Sequence, residues 1–195
     1  MVIEYCSSIG FVSRLAYRNL CSIVIFMMVT VNFATACDIQ LSEAIVDFGD
    51  IPRPQSMASV NVESLYDVGQ RSVGFTATCV NAEDLSLIVR GLGISNTFKF
   101  SGAGQVSVTA KNAFLDGRRV DLSIRNSNNS VTDHYSPSVE LAPGVTVVPL
   151  LNGLPVAGRI WAMTFEVNAK VPMSDFRTAE AKTPQGLIKL ELAPY

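Results

Sequence analysis

The sequence predicts an all-β protein built as an antiparallel sandwich. Three observations carry the prediction. Apolar and polar residues alternate with a period of two in one stretch after another, the pattern of strands with one buried face. Clusters of Gly, Pro, Asn, Asp and Ser separate these stretches as turns. No window between residues 37 and 195 carries a helical apolar stripe with caps. Many short strands joined by regular turns pack as two antiparallel sheets, face to face.

The first element is not a strand. Arg14 and Arg18 precede an apolar run from Leu20 to Val31, and Ala34-Thr35-Ala36-Cys37 follows. A basic region, a short apolar core and small residues at the −3 and −1 positions make a secretory signal peptide over residues 1–36. The remaining residues, 37–195, make one domain, long enough to bury its own core. Removal of the leader after Ala36 leaves Cys37 at the new N-terminus.

The strands follow in order. Val73, Phe75, Ala77 and Cys79 alternate with Ser72, Gly74, Thr76 and Thr78. Leu85, Leu87 and Val89 form the next ladder, then Val106, Val108 and Ala110, then Val120, Leu122 and Ile124. The longest runs through Trp161, Met163, Phe165, Val167, Ala169 and Val171, with Thr164, Glu166, Asn168 and Lys170 on its other face. Ile188, Leu190 and Leu192 end the chain against Lys189 and Glu191. Turns are expected at 49–54, 81–84, 102–104, Asp116-Gly117, Pro143-Gly144 and Asn152-Gly153. Asp116-Gly117 between apolar runs is a hairpin signal. Asn126 to Pro137 is polar and reads as an exposed loop, and Ser56 to Tyr66 has room for a short turn of helix.

The formal net charge is −2 with both signs interspersed. No basic stripe exists to follow a phosphate backbone, so nucleic acid is not an expected partner. No run after the leader approaches the roughly 20 apolar residues of a membrane-spanning helix. Of four cysteines, Cys6 and Cys21 fall in the leader. Cys37 and Cys79 remain, an even count for an oxidising compartment, so a disulfide is the default reading. A loop of that length contributes about 4 kcal/mol in the chain-entropy account. The rival reading is lipidation, because Ala-Thr-Ala-Cys loosely resembles a lipobox with Cys37 as the acylated residue. That reading leaves Cys79 unpaired.

Nothing in the residues assembles a catalytic centre. His134 is the sole histidine and lies in the polar loop. A histidine triad needs a nucleophile and an acid close by, and no Gly-x-Ser-x-Gly elbow occurs. Cys37 and Cys79 lack the spacing and histidine companions of a zinc site. Gly91-Leu92-Gly93 has neither the third glycine nor the helix of a dinucleotide fingerprint and reads as a strand-end turn. Glu83-Asp84, and Asp47 with Asp50, read as solvated turn carboxylates rather than calcium ligands. Trp161 lies in phase with Met163 and Phe165, which makes it core rather than a stacking platform. The expectation is a protein that is not an enzyme and uses no cofactor or metal.

Several stretches together resemble subunits of bacterial chaperone–usher fimbriae. They are Cys37-Asp38-Ile39-Gln40, then Val46-Asp47-Phe48-Gly49-Asp50-Ile51, then Phe75-Thr76-Ala77-Thr78-Cys79, and the C-terminal run from Gly186 to Tyr195. The segment Val156-Ala157-Gly158-Arg159-Ile160 also fits a branch with a long penultimate strand. The resemblance implies an immunoglobulin-like, pilin-type sandwich lacking its final strand, with Cys37 bonded to Cys79. Such a groove exposes core residues and unpaired backbone. A periplasmic chaperone lends a strand there and another fimbrial subunit later replaces it, with an outer-membrane usher as the assembly partner. Ile39 and Leu41 would then line one wall of the groove. Ile188, Leu190 and Leu192 would line the other, with Tyr195 a further chaperone contact. Here Tyr195 is last, after Pro194, where the family's aromatic is usually penultimate. Shaft subunits carry a donor segment ahead of the first cysteine. Cleavage after Ala36 leaves none, so the expected role is a tip or assembly-initiating subunit or a single-domain adhesin at the cell surface. A host or surface receptor would meet the polar loop from Asn126 to Pro137.

Two other readings fit the same residues. One is a secreted or periplasmic binding module with a complete sandwich. The other is a lipoprotein anchored at Cys37. Intact-mass analysis of the exported protein is expected to give an unmodified chain starting at Cys37; a mass increment for acyl chains would identify the anchor.

Overall fold

The computed structural model describes residues 37–49, 51, 64–100, 102–125, 131–177 and 185–194. The leader, Tyr195, residues 126–130 of the polar loop and residues 56–63 of the expected helical turn lie outside them. The described residues form fourteen strands and one 3-10 turn. The first seven strands are β1 (Cys37–Leu41), β2 (Leu65–Glu83), β3 (Leu85–Gly91), β4 (Gly93–Ile94), β5 (Thr97–Phe100), β6 (Gly104–Leu115) and β7 (Arg118–Arg119). Then come β8 (Asp121–Arg125), β9 (Val131–Ser136), β10 (Ser138–Leu141), β11 (Thr146–Leu151), β12 (Leu154–Pro155), β13 (Gly158–Pro172) and β14 (Ile188–Pro194). The 3-10 turn spans Met173–Arg177.

Two sheets result, and every pairing in them is antiparallel. One sheet runs β1-β2-β13-β6-β5-β4, with β7 and β10 also on β6. The other runs β14-β3-β11-β8-β9, with β12 on β11. The expected all-β sandwich is present. Its core is a single cluster in which Phe75, Trp161, Phe165 and Val108 of the first sheet meet Leu87, Val147 and Leu122 of the second. Phe75 sits at its centre, edge-on to Trp161 at 6.0 Å between ring centroids and tilted against Phe165 at 5.4 Å. Such aromatic pairs contribute about 0.5–1.5 kcal/mol beyond their area.

Two bulges keep the correct faces inward. β13 holds one phase from Trp161 to Val171. β2 slips by one residue against it, with Ala169 opposite Gly69 and Lys170 opposite Asp67. Gly69 takes a φ of 124° there, and its N–H donates to Asp67 Oδ1 at 2.9 Å. β6 slips too, between Thr164–Lys111 and Ala162–Phe114, at Asn112 with a φ of 54°. Below each bulge even-numbered residues face the core (Tyr66 and Val68; Val106, Val108 and Ala110). Beyond it the odd-numbered ones do (Val73, Phe75 and Ala77; Ala113 and Leu115). One inserted residue reverses the alternation.

The hairpin turns behave as their sequences demand. Asp116-Gly117 and Asn152-Gly153 each put both central residues at positive φ, the form that matches strand twist in two-residue loops. Three expectations need correction. Residues 81–83 continue β2, so Asp84 alone links β2 to β3. The polar loop is shorter than expected, because Val131–Ser136 pairs with β8 as the edge strand β9; an edge strand has no partner on one side and tolerates polar residues. Leu65 and Tyr66 open β2 rather than a helical turn. β11 is an element the alternation did not reveal, because Val147, Val148, Pro149 and Leu150 are all buried.

Trp161→Ala removes a fully buried side chain from this core and is expected to cost about 3–5 kcal/mol. Denaturant unfolding of the oxidised protein measures it, with Thr164→Ala on the outer face expected to stay within about 0.5 kcal/mol.

Candidate functional site

β1 and β14 are the edge strands that border the β2–β3 corner. β2 and β3 are joined by one residue, and each is second in its sheet. β1 is the outer neighbour of β2, and β14 is the outer neighbour of β3. Among the described strands neither has a partner on its other side.

β1 is held covalently. Cys37 stands opposite Cys79 in the register, and the two form a disulfide. The bridge consumes the Sγ that a thioether-linked lipid would need, so the lipoprotein reading of Cys37 does not fit this structure. A disulfide also belongs to an oxidising compartment. Ile39 is half-buried against the core. Leu41, in register with Phe75, is 36% exposed. Just beyond it, Ser42 closes the strand with two bonds to Gly74: its N–H donates to Gly74 O at 2.8 Å, and its Oγ accepts from Gly74 N–H at 2.9 Å. Val46 and Phe48 then turn onto the core, with Phe48 6.0 Å from the Phe100 ring and the Arg71 guanidinium 5.9 Å from the Phe48 centroid.

β14 pairs along its full length with β3, from Ile188–Gly91 to Pro194–Leu85. Ile188, Leu190 and Leu192 point at the core and are only half-buried. Their neighbours Leu85, Leu87 and Val89 on β3 are 3%, 0% and 0% exposed. The difference is one of coverage. β3 has a strand on each side, whereas β14 has one, so its apolar ladder is left partly open.

Polar contacts on the outer face fasten β14 to β3. Ser86 Oγ donates to Ala193 O at 2.9 Å. Glu191 accepts from Arg90 Nε at 2.8 Å and pairs with Lys189 Nζ at 2.6 Å. Hydrogen bonds from Lys189 and then Arg90 hold the Glu191 carboxyl down from 4.5 to about 2. Sequence reading placed the β14 ladder but missed these fasteners. Arg90 and Ser86 are the outward residues of the β3 alternation, and the signal lay in reading both faces of that ladder.

His134 lies within β9. Among the described residues no group of three or more His, Cys, Asp or Glu is placed to hold a metal, and no described helix is long and apolar enough to cross a membrane. Fold and site together define a disulfide-bonded, all-β sandwich with two free strand edges at one corner. No protein-family model matches the chain, and no curated protein matches it.

The depressed Glu191 carboxyl fixes a pH dependence. Its folded value lies below its unfolded one, so the pairing contributes fully above about pH 4.5 and is lost as pH falls toward 2. The opening free energy of β14, read from amide exchange corrected for the intrinsic pH dependence of the amide rates, is expected to fall through that window, and Glu191→Gln is expected to remove that fall. Because the pair is partly exposed, added salt is expected to shrink the effect.

Proposed function

We propose that this chain is a structural or adhesive subunit of a chaperone–usher fimbria that accepts a strand at the β1/β14 edges. The observation that carries the reading is the half-covered ladder Ile188, Leu190 and Leu192 on an edge strand with a free backbone side. An added strand beside β14 satisfies its unpaired N–H and C=O groups and covers the ladder with alternate apolar side chains. Each such side chain, once buried, contributes about 1.5–3 kcal/mol. The bridge between the first two strands and the long penultimate strand β13 support the family resemblance. A periplasmic chaperone is the first strand donor in this scheme and a neighbouring subunit the second. If the leader is removed at Ala36, no donor segment precedes Cys37, which suits a tip or assembly-initiating position. Binding, not catalysis, is the role.

Purification of the exported protein with and without its co-expressed periplasmic chaperone tests this. A 1:1 complex and poor recovery alone are expected, and Leu190→Asp is expected to abolish the complex. A stable lone monomer that ignores the chaperone would make the sandwich a complete binding module instead.

A further inference from the structure

A second feature lies where β3, β5 and the start of β14 meet. A cleft of about 640 Å³ opens where the chain enters β14, lined by Arg90, Leu92, Lys99 and Lys189 with the lead-in residues Gln185 to Leu187. We propose that this cleft binds an amphipathic anion, an acidic head group carried on an apolar body. The site does not rest on strand addition, because Arg90 and Lys189 face away from the core ladder.

The head-group half of the argument is charge. Arg90 and Lys189 share a single carboxylate, that of Glu191. Lys99 has no ion-pair partner among the described residues. Among the described residues of the cleft, three cations against one carboxylate leave a surplus of two positive charges in a chain whose net charge is −2. Glu191 stays ionised and fixes two of the cations in place, so among the described residues of the cleft Lys99 is the cation left to answer an incoming anion.

The tail half is apolar surface. Leu92 is 74% exposed and Leu187 is 81% exposed, and both line the cleft. Two largely exposed leucines beside a cationic cluster gain when a ligand's hydrocarbon covers them.

Close backbone approach sets the base of the cleft. A Cβ on Gly186 would stand 2.9 Å from Lys99 O, and a Cβ on Gly91 would stand 2.8 Å from Phe98 Cδ1 and 3.1 Å from Leu187 O. The lead-in to β14 therefore lies directly on β5 because these positions are glycines. On the other wall Lys99 N–H donates to Leu92 O at 2.8 Å. The base of the cleft is formed before any ligand arrives, which lowers the ordering cost of binding.

The test uses the oxidised full chain and decyl phosphate kept below its micelle concentration, followed by calorimetry and chemical-shift mapping. Decyl maltoside supplies the tail without the charge, and inorganic phosphate the charge without the tail. Decyl phosphate is expected to bind at least about tenfold more tightly than either. Lys99→Gln and Leu187→Ser are each expected to weaken it about fivefold with unchanged thermal unfolding, and raising salt from about 0.15 to about 0.5 M is expected to weaken it further. Vesicles of phosphatidylglycerol, with phosphatidylcholine as control, separate the two sources. Lys99-dependent vesicle binding assigns the head group to a membrane lipid, and binding of the monomer alone assigns it to a soluble amphiphile; either upholds the site. Equal affinity for decyl maltoside or for inorganic phosphate, indifference to Lys99→Gln, or no saturable binding would overturn it.

Discussion

A strand has two faces, and only one of them can meet the core. The long central strand β13 presents Trp161, Met163, Phe165, Val167, Ala169 and Val171 inward without a break. Its two long neighbours, β2 and β6, do not hold one phase along their length. Each inserts one residue, near opposite ends of β13, and returns to the core on the other parity. Without the slip at Asn112, Phe114 would point inward and Leu115 outward. Without the slip at Gly69, Tyr66 and Val68 would leave the core and Asp67 would enter it. The packing of Phe75 between Trp161 and Phe165, and with it the contact between the sheets, depends on these phases.

That constraint explains what the sequence discloses. Ladders such as Val73 to Cys79 and Trp161 to Val171 are legible because a half-buried strand writes its environment into alternate residues. β2 and β6 look too short in the sequence, since alternation breaks at the bulge in each and the far side reads as something else. β11 is illegible for another reason. Its residues Val147, Val148, Pro149 and Leu150 are all buried, so no polar face marks the period, and Pro149 argues against a central strand. β9 is hidden by polarity, as an edge strand has little need of apolar residues.

The site was legible in part. The inward residues of β14 were visible as Ile188, Leu190 and Leu192, and the partner of Cys37 was visible by elimination of the leader cysteines. That the ladder would be only half-covered is a property of strand order, which no local pattern encodes. The fasteners Ser86 and Arg90 lie more than a hundred residues from Ala193 and Glu191. Contacts at that separation arise from topology alone.

The bridge between Cys37 and Cys79 also has a mechanical meaning. Tension applied at the N-terminus reaches β2 directly through the sulfurs, without first peeling β1 away. The 42-residue separation that the bridge closes removes about 140 Å of contour length from any extension of the oxidised chain. Under tension the oxidised domain would stretch as though it began at residue 79, and only reduction would release the hidden length.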